Sequence, residues 1–328
     1  MRTQTSRGML TGIRATGRAN DETGSSSWEL CQPGAISRGK IVAALRERGV
    51  EDVCALHRLP CEYFKKETPM TEIEGVNLQK LAGRVAIVTG GGHGVGRGIA
   101  LALSGAGAMV VICGRTAATL KEVRQEIEAR GGRAQDVVCD ITRPADLEHL
   151  VATAIARFGG INILVNNAAS VPRGSLLQIA DPVIDEAWRT GPLASLNLMR
   201  LCHLHLKGDG AIINVSSGAA VGSNVPDRGI YAAVKAAQNA IARAAAMEWA
   251  RDGIRVNTIM PLARTEATDR YLEKEPQRAA ASFAAIPLGR LGDCERDIGP
   301  VAVFLASADA RYLTGQTLTA DGGTGYVR

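Results

Sequence analysis

The stretch R-V-A-I-V-T-G-G-G-H-G-V-G-R-G, residues 84–98, decides the fold. It opens as a short apolar run rich in β-branched residues. Such a run, unbroken by polar positions, reads as a strand buried on both faces. It ends in glycines, of which Gly90, Gly94 and Gly96 fit a T-G-x-x-x-G-x-G spacing. Glycine permits tight turns and lets bare backbone approach a pyrophosphate, while the N-terminus of the following helix supplies N–H groups and a positive dipole end. A purely structural turn is the simpler reading of the same glycines. Their position after the first strand of a βαβ unit favours the phosphate cradle.

Outward from this loop the pattern alternates. A helical stretch runs from about Gly96 to Ser104, followed by a second strand, A-M-V-V-I-C-G (108–114). A helix over 116–130 is closed by Gly131, and A-Q-D-V-V-C-D (134–140) is a third strand. A helix spans about 144–157, and I-N-I-L-V-N-N (161–167) is a fourth strand. Later come G-A-I-I-N-V-S-S (210–217), a long alanine-rich helix after Tyr231, and the strand G-I-R-V-N-T-I-M (253–260). Apolar strands alternating with helices predict an α/β fold: a doubly wound, Rossmann-like parallel sheet with helices on both faces. There is no internal repeat.

Composition excludes several classes. The 328 residues are 46% hydrophobic and 22% charged, with a formal net charge of +5. The basic residues are dispersed and not interleaved with aromatics, so no nucleic-acid partner is expected. The seven cysteines are odd in number and form no C-x-x-C, and Cys113, Cys139 and Cys202 lie in apolar stretches. That usage fits reduced thiols in a cytoplasmic setting. No Cys/His cluster has the spacing of a zinc site, so no metal is expected. No apolar run approaches the length of a membrane span, so no membrane partner is expected either.

The chain changes character near residue 70. Residues 1–69 read as an extension, disordered or not part of the native protein, and 70–328 as one self-contained domain. Residues 1–27 are polar, carry four arginines with no acid before Asp21, and read as disorder or loosely as a transit peptide. Residues 40–58 could form a short amphipathic helix broken at Gly49. Translation beginning at Met70 would account for the extension.

Two further patches carry chemistry. The second strand ends at Cys113-Gly114-Arg115. A NAD site often places an acid here, about 20 residues past the glycines, for the ribose 2′-hydroxyl. Here Gly114 leaves room and Arg115 supplies a cation, which suits a 2′-phosphate; NADP(H) is preferred and NAD(H) remains possible. The alternative is that Arg115 is a solvated charge at a strand end. The second patch is Y-A-A-V-K, residues 231–235. Positions i and i+4 share a helix face, so the ammonium of Lys235 can stabilise the Tyr231 phenolate and pull its pKa down from about 10. Alone, such a pair is as readily two ordinary helix residues.

The glycine loop, N-N-A-A at 166–169, I-N-V-S-S at 213–217, Y-A-A-V-K and the ending T-G-Q-T-L-T-A-D-G-G at 314–323 occur in order on the expected elements. Together they resemble the short-chain dehydrogenase/reductase family from about residue 80 onward. The resemblance implies an NAD(P)-dependent oxidoreductase transferring a hydride between NADP(H) and a small-molecule carbonyl or secondary alcohol. It implies Tyr231 as general acid/base, Lys235 as the group that lowers its pKa and binds the nicotinamide ribose, and Ser217 as the hydrogen-bond donor to the substrate oxygen. Ser216 is the neighbour to be chosen against, since successive strand residues face opposite sides. It further implies diphosphate contacts from Gly90, Gly92, His93, Gly94, Val95 and Gly96, adenine contacts from Asp140 and Ile141, a ribose contact from Asn166, and a nicotinamide contact through the backbone of Arg264. Asn167 is expected to support the strand ends. The segment from Thr265 to about Pro287 is expected to cover the substrate as one or two polar helices. Homodimers or homotetramers are expected, with the helices before I-N-V-S-S and after Tyr231 as faces.

The sequence departs from the family where a helix asparagine is expected. If Gly191 matches the family glycine, that position is Trp188, and Asn197 lies too far on to replace it. Pro192 should start or kink that helix. Ala169 and Leu262 stand where glycines are usual. These departures keep a second function open, a catalytically weak nucleotide-binding sensor or partner protein of the same fold.

Overall fold

The computed structural model describes residues 79–222 and 227–325. The expected extension, the 40–58 helix, Met70, Cys31, Cys54 and Cys61 lie outside the described residues.

Seven parallel strands form one sheet in the order β3-β2-β1-β4-β5-β6-β7. They are β1 (Val85–Thr89), β2 (Met109–Gly114), β3 (Arg133–Val138), β4 (Ile163–Asn166), β5 (Gly210–Val215), β6 (Ile254–Pro261) and β7 (Thr317–Ala320). Register pairs Thr89 with Cys113, Val88 with Val165, Asn166 with Asn214, and Val215 with Ile259. The carboxyl ends of β1, β2, β4, β5 and β6 therefore come out along one edge. Strand order reverses between β1 and β4, and the crevice at such a reversal is where an open α/β sheet binds its ligand.

The strands are apolar throughout because both faces are covered, and their side chains divide by the pleat. Ala86, Val88, Val110 and Ile112 pack on one face with α1 (Gly94–Gly105), α2 (Ala117–Ala129) and α9 (Gly299–Ala306). Ile87, Val111 and Cys113 pack on the other with α3 (Pro144–Phe158), α5 (Ala194–Leu206) and α6 (Gly229–Trp249). Truncating a buried leucine such as Leu150 to alanine should cost about 2–5 kcal/mol, read as a lower denaturation midpoint with an unchanged slope.

The expected break at Pro192 is a kink. Helix α4 (Asp181–Trp188) runs into a widened turn, Arg189–Leu193, which leaves the helical path at Gly191, and then into α5. Proline has no N–H for the preceding turn and displaces its carbonyl, and Gly191 absorbs the bend at φ −90°, ψ −106°. A Cβ on Gly191 would meet Val234 of α6 at 3.6 Å, so the kink lies against the helix that carries Tyr231 and Lys235.

The segment after β6 forms two helices, α7 (Glu266–Lys274) and α8 (Pro276–Ala284). Thr265 caps α7, its side chain accepting from the Thr268 N–H while the Thr268 hydroxyl oxygen accepts from the Thr265 N–H. No helix among the described residues is long and apolar enough to cross a membrane.

Candidate active site

A cleft of 770 Å³ opens at the carboxyl edge of the sheet, bounded by the glycine loop, the ends of β5 and β6, the first turns of α6, and α7. Gly90 and Gly94 adopt left-handed φ values of +66° and +52°. The N–H groups of Gly90 and Gly91 donate to the Cys113 carbonyl at 2.8 and 3.2 Å, which folds the loop back over β2. Helix α1 then starts with His93 as N-cap, without a capping bond from its side chain and without an acid in the first turn. The first N–H groups of α1 are left for an anion. Gly92, His93, Gly94 and Val95 line the cleft. Gly96 is hidden beneath them, where a Cβ would stand 2.2 Å from the Gly90 carbonyl oxygen. This cradle, whose close backbone approach at Gly96 leaves no room for a side chain, fits the diphosphate of a dinucleotide.

Asn167 ties the loop to β4. Its Nδ2 donates to the carbonyls of Thr89 at 2.9 Å and Gly90 at 3.3 Å, and the N–H groups of Asn167 and Ala168 both donate to Thr89 Oγ1 at 3.0 Å. Asn166 is differently placed. Its buried side chain donates across the sheet to Asn214 Oδ1 at 2.9 Å and does not line the cleft, whereas Asn167 does. The pleat sends these two neighbours opposite ways.

At the cleft floor Tyr231, Ser217 and Lys235 converge. Ser217 caps the short turn Gly218–Ala220, accepting from the Ala219 N–H at 3.2 Å, and its hydroxyl pulls the Tyr231 phenol's pKa down. Ser216 also lines the cleft, with a buried hydroxyl that has no protein partner. The expectation that only one serine would reach the site fails because β5 ends at Val215, so strand alternation no longer governs the next two residues. Of the two serines, only Ser217 influences the charge state of the phenol.

The electrostatics differ from the expectation drawn from the Tyr-Lys spacing. Burial pushes the Tyr231 phenol up, with the Ser217 hydroxyl and the Arg228 guanidinium pulling the other way. Burial also brings Lys235 down to about 8. The Lys235 ammonium donates to the Val215 carbonyl at 2.6 Å and to Gln238 Oε1 at 3.0 Å, so two of its three N–H groups are taken by protein acceptors. Gln238 in turn donates to Ser195 at 2.7 Å. Sequence reading missed both groups, although a glutamine three residues after the lysine, on a helix otherwise rich in alanine, is a visible signal.

Other expected positions stand apart from the main cleft. Arg115 is exposed at the end of β2 and does not line it; a Cβ on Gly114 would meet nothing closer than Leu120 Cδ2 at 3.6 Å, so room exists beside the strand end. Asp140 accepts from the Thr142 N–H at 2.9 Å and the Thr142 hydroxyl at 2.8 Å. These bonds, with smaller contributions from Arg115 and Arg143, hold its carboxyl below the usual range. Ile141 packs against the core face. Arg264 does not line the cleft. Its N–H donates to the Gly292 carbonyl at 2.8 Å, its carbonyl accepts from Cys294 Sγ at 3.1 Å, and its side chain pairs with Asp269 at 2.8 Å. Pro261, Leu262, Ala263 and Thr265 around it face the cleft instead. Trp188 is 39% exposed and is not among the residues lining the cleft. Among the described residues no cluster of His, Cys, Asp or Glu could hold a metal.

Residues 90–325 match the family model described as enoyl-(acyl carrier protein) reductase. The chain is 37% identical over 253 residues to a 12alpha-hydroxysteroid dehydrogenase of Clostridium sp., covering 74% of this chain and 97% of that protein. It is 36% identical over 255 residues to a 4-formylbenzenesulfonate dehydrogenase of Comamonas testosteroni, covering 76% and 99%. A crystal structure of a dehydrogenase/reductase from Sinorhizobium meliloti 1021 superposes with a TM-score of 0.71 at 30% identity, covering 76% of this chain and 98% of that one. The chain belongs to the short-chain dehydrogenase/reductase family. The relatives are oxidoreductases, the family binds NAD(P)(H), and oxidoreduction is the activity that membership supports.

Proposed function

We propose that the protein transfers a hydride between NADP(H) and a small-molecule carbonyl or secondary alcohol, with Tyr231 as the general acid/base. The observation that carries this reading is that Ser217, Tyr231 and Lys235 line the same cleft as a glycine-lined helix N-terminus. The nicotinamide supplies or accepts the hydride when bound. The chain does the rest. The glycine loop and the first turn of α1 would hold the diphosphate, Ser217 would orient the substrate oxygen and stabilise charge developing on it, and Tyr231 would exchange its proton. Relatives named for a hydroxysteroid and for a formylbenzenesulfonate support alcohol and carbonyl chemistry by analogy. A nucleotide-binding sensor is the second reading, favoured by the Lys235 ammonium being bonded to Val215 and Gln238.

Cofactor choice rests on Arg115, beside the open space at Gly114. Titration with NADPH and NADH should show tighter NADPH binding. Arg115→Asp should weaken NADPH by about tenfold or more, the worth of a charge-assisted hydrogen bond, and leave NADH binding little changed or improved. Tighter NADH binding by the native protein would overturn the preference while keeping the enzyme reading. Absence of binding to either would remove the enzyme reading as well.

A homo-oligomer built on α5 and α6 is part of the same proposal. Leu204 on α5 is 74% exposed and Met247 on α6 is 81% exposed. Replacing both by glutamate should move the particle to monomer mass in light scattering. An unchanged mass would place the interface elsewhere.

A further inference from the structure

We infer that Gln238, oriented by Ser195, is a positioning residue for Lys235: its side-chain oxygen holds the ammonium at the back of the cleft and keeps it charged. The inference rests on the reading of Lys235 as the partner of Tyr231.

Hydrogen-bond chemistry fixes the direction of the chain. An ammonium has three donors and no acceptor, so the amide atom facing it must be the oxygen. Gln238 Oε1 lies 3.0 Å from Lys235 Nζ, and this leaves Nε2 to donate to Ser195 Oγ at 2.7 Å. Lysine, glutamine and serine are 3%, 2% and 4% exposed, so water does not compete for these bonds. Both ends of the amide are therefore committed: the donor-only ammonium fixes which end it meets, and Ser195 anchors the other end.

Packing does not require a glutamine here. Val234, Lys235, Gln238, Asn239 and Ala242 form the buried stripe of α6, where an apolar side chain is the usual occupant. The serine is brought to this place by the kink. It stands in the first turn of α5, directly after Arg189–Leu193, the turn whose Gly191 rests against Val234. Of the charged and titratable groups that line the same cleft, Arg228 and Tyr231 come from the N-cap and first turn of α6, His93 from the glycine loop, Arg97 from α1, Glu122 and Glu126 from α2, Arg173 from the segment after β4, and Glu266, Arg270 and Tyr271 from α7. The two hydrogen-bond partners of the ammonium itself are both uncharged oxygens, one from β5 and one from Gln238. Against the burial that disfavours its charge, these two acceptors are what the protein offers, and Gln238 is the one a side-chain substitution can remove.

The test reads the lysine directly. The full chain, labelled with ¹³C at lysine Cε, is titrated by NMR from neutral to alkaline pH, and the Lys235 signal is assigned by its loss in Lys235→Arg. Gln238→Leu should lower the midpoint by about one pH unit, Ser195→Ala should lower it by less, and Gln238→Glu should raise it, because a carboxylate favours the ammonium. A role in packing alone would reduce stability without moving the midpoint. Midpoints in Gln238→Leu and Ser195→Ala equal to the native value would overturn the inference. If Gln238→Leu does not fold, the opposite shifts of Gln238→Glu and Ser195→Ala carry the test, and no movement in either would overturn it. Shifts as expected in a protein without Tyr231-dependent turnover would support the positioning role and sink the catalytic reading, so the two failures are distinguishable.

Discussion

Tyr231→Phe should lower kcat by about 10²–10⁴-fold, the usual worth of a positioned general acid or base, while leaving the affinity for NADPH within a few-fold of native. The substitution removes one oxygen and keeps the ring, so the packing of the first turn of α6 is preserved. What is lost is the proton that Ser217 helps to place. The pH dependence follows from the direction of the shift. Burial raises the phenol above its ordinary value, so Tyr231 is protonated across neutral pH and ready to donate to a carbonyl oxygen. Carbonyl reduction needs that protonated form and should fall as pH rises through the tyrosine pKa. Alcohol oxidation needs the phenolate and should rise over the same range. Arg228→Ala removes a cation that pulls the pKa down, and should move both limbs to higher pH. Steady-state rates in both directions against pH check all three statements. Retention of near-native kcat by Tyr231→Phe would show that another group moves the proton.

The fold was legible because its rules are local. Short apolar strands, a helix closed by Gly131 and glycines at the first strand end each state their own conformation, and the parallel sheet follows from their alternation. The Tyr231 and Lys235 spacing was legible for the same reason, since four residues on a helix span about one turn. The rest was not legible because tertiary context decides it. Asn166 and Asn167 are chemically equivalent in sequence, and only the pleat at the end of β4 assigns one to Asn214 and the other to the loop. Arg264 sits at a plausible spacing, but no spacing announces that its N–H bonds Gly292 and its carbonyl accepts from Cys294. The effect of Lys235 on Tyr231 was misjudged because burial acts on both groups, and no periodicity reports it. Pro192 announced a break, yet the sense of the bend depends on Gly191 lying against Val234, more than 40 residues on.

Gly96→Val should abolish measurable dinucleotide binding and destabilise the domain, whereas Gly105→Ala on the same helix should do neither. A Cβ at position 96 would lie 2.2 Å from the Gly90 carbonyl oxygen, 2.4 Å from Asn167 Nδ2 and 2.8 Å from the Gly90 carbonyl carbon. Two of these three atoms are backbone, and the third is held by bonds to Thr89 and Gly90. None can yield like the end of a flexible side chain. The loop must lift off α1, and with it goes the alignment of the helix N-terminus with the bend at Gly90. Overpacking of this kind costs about 1–3 kcal/mol, and the lost cradle adds a binding defect beyond the stability defect. At Gly105 a Cβ would meet nothing within 4 Å, so alanine there should be neutral or stabilise the end of α1 by up to about 1 kcal/mol through its helix propensity. Thermal unfolding with and without NADPH separates the two effects. Native protein and Gly105→Ala should gain stability when cofactor is added, as any ligand of the folded state requires. Gly96→Val should unfold earlier and gain nothing. A cofactor-induced rise in the Gly96→Val midpoint equal to that of the native protein would show that the diphosphate is held elsewhere, and that the glycines serve only the turn.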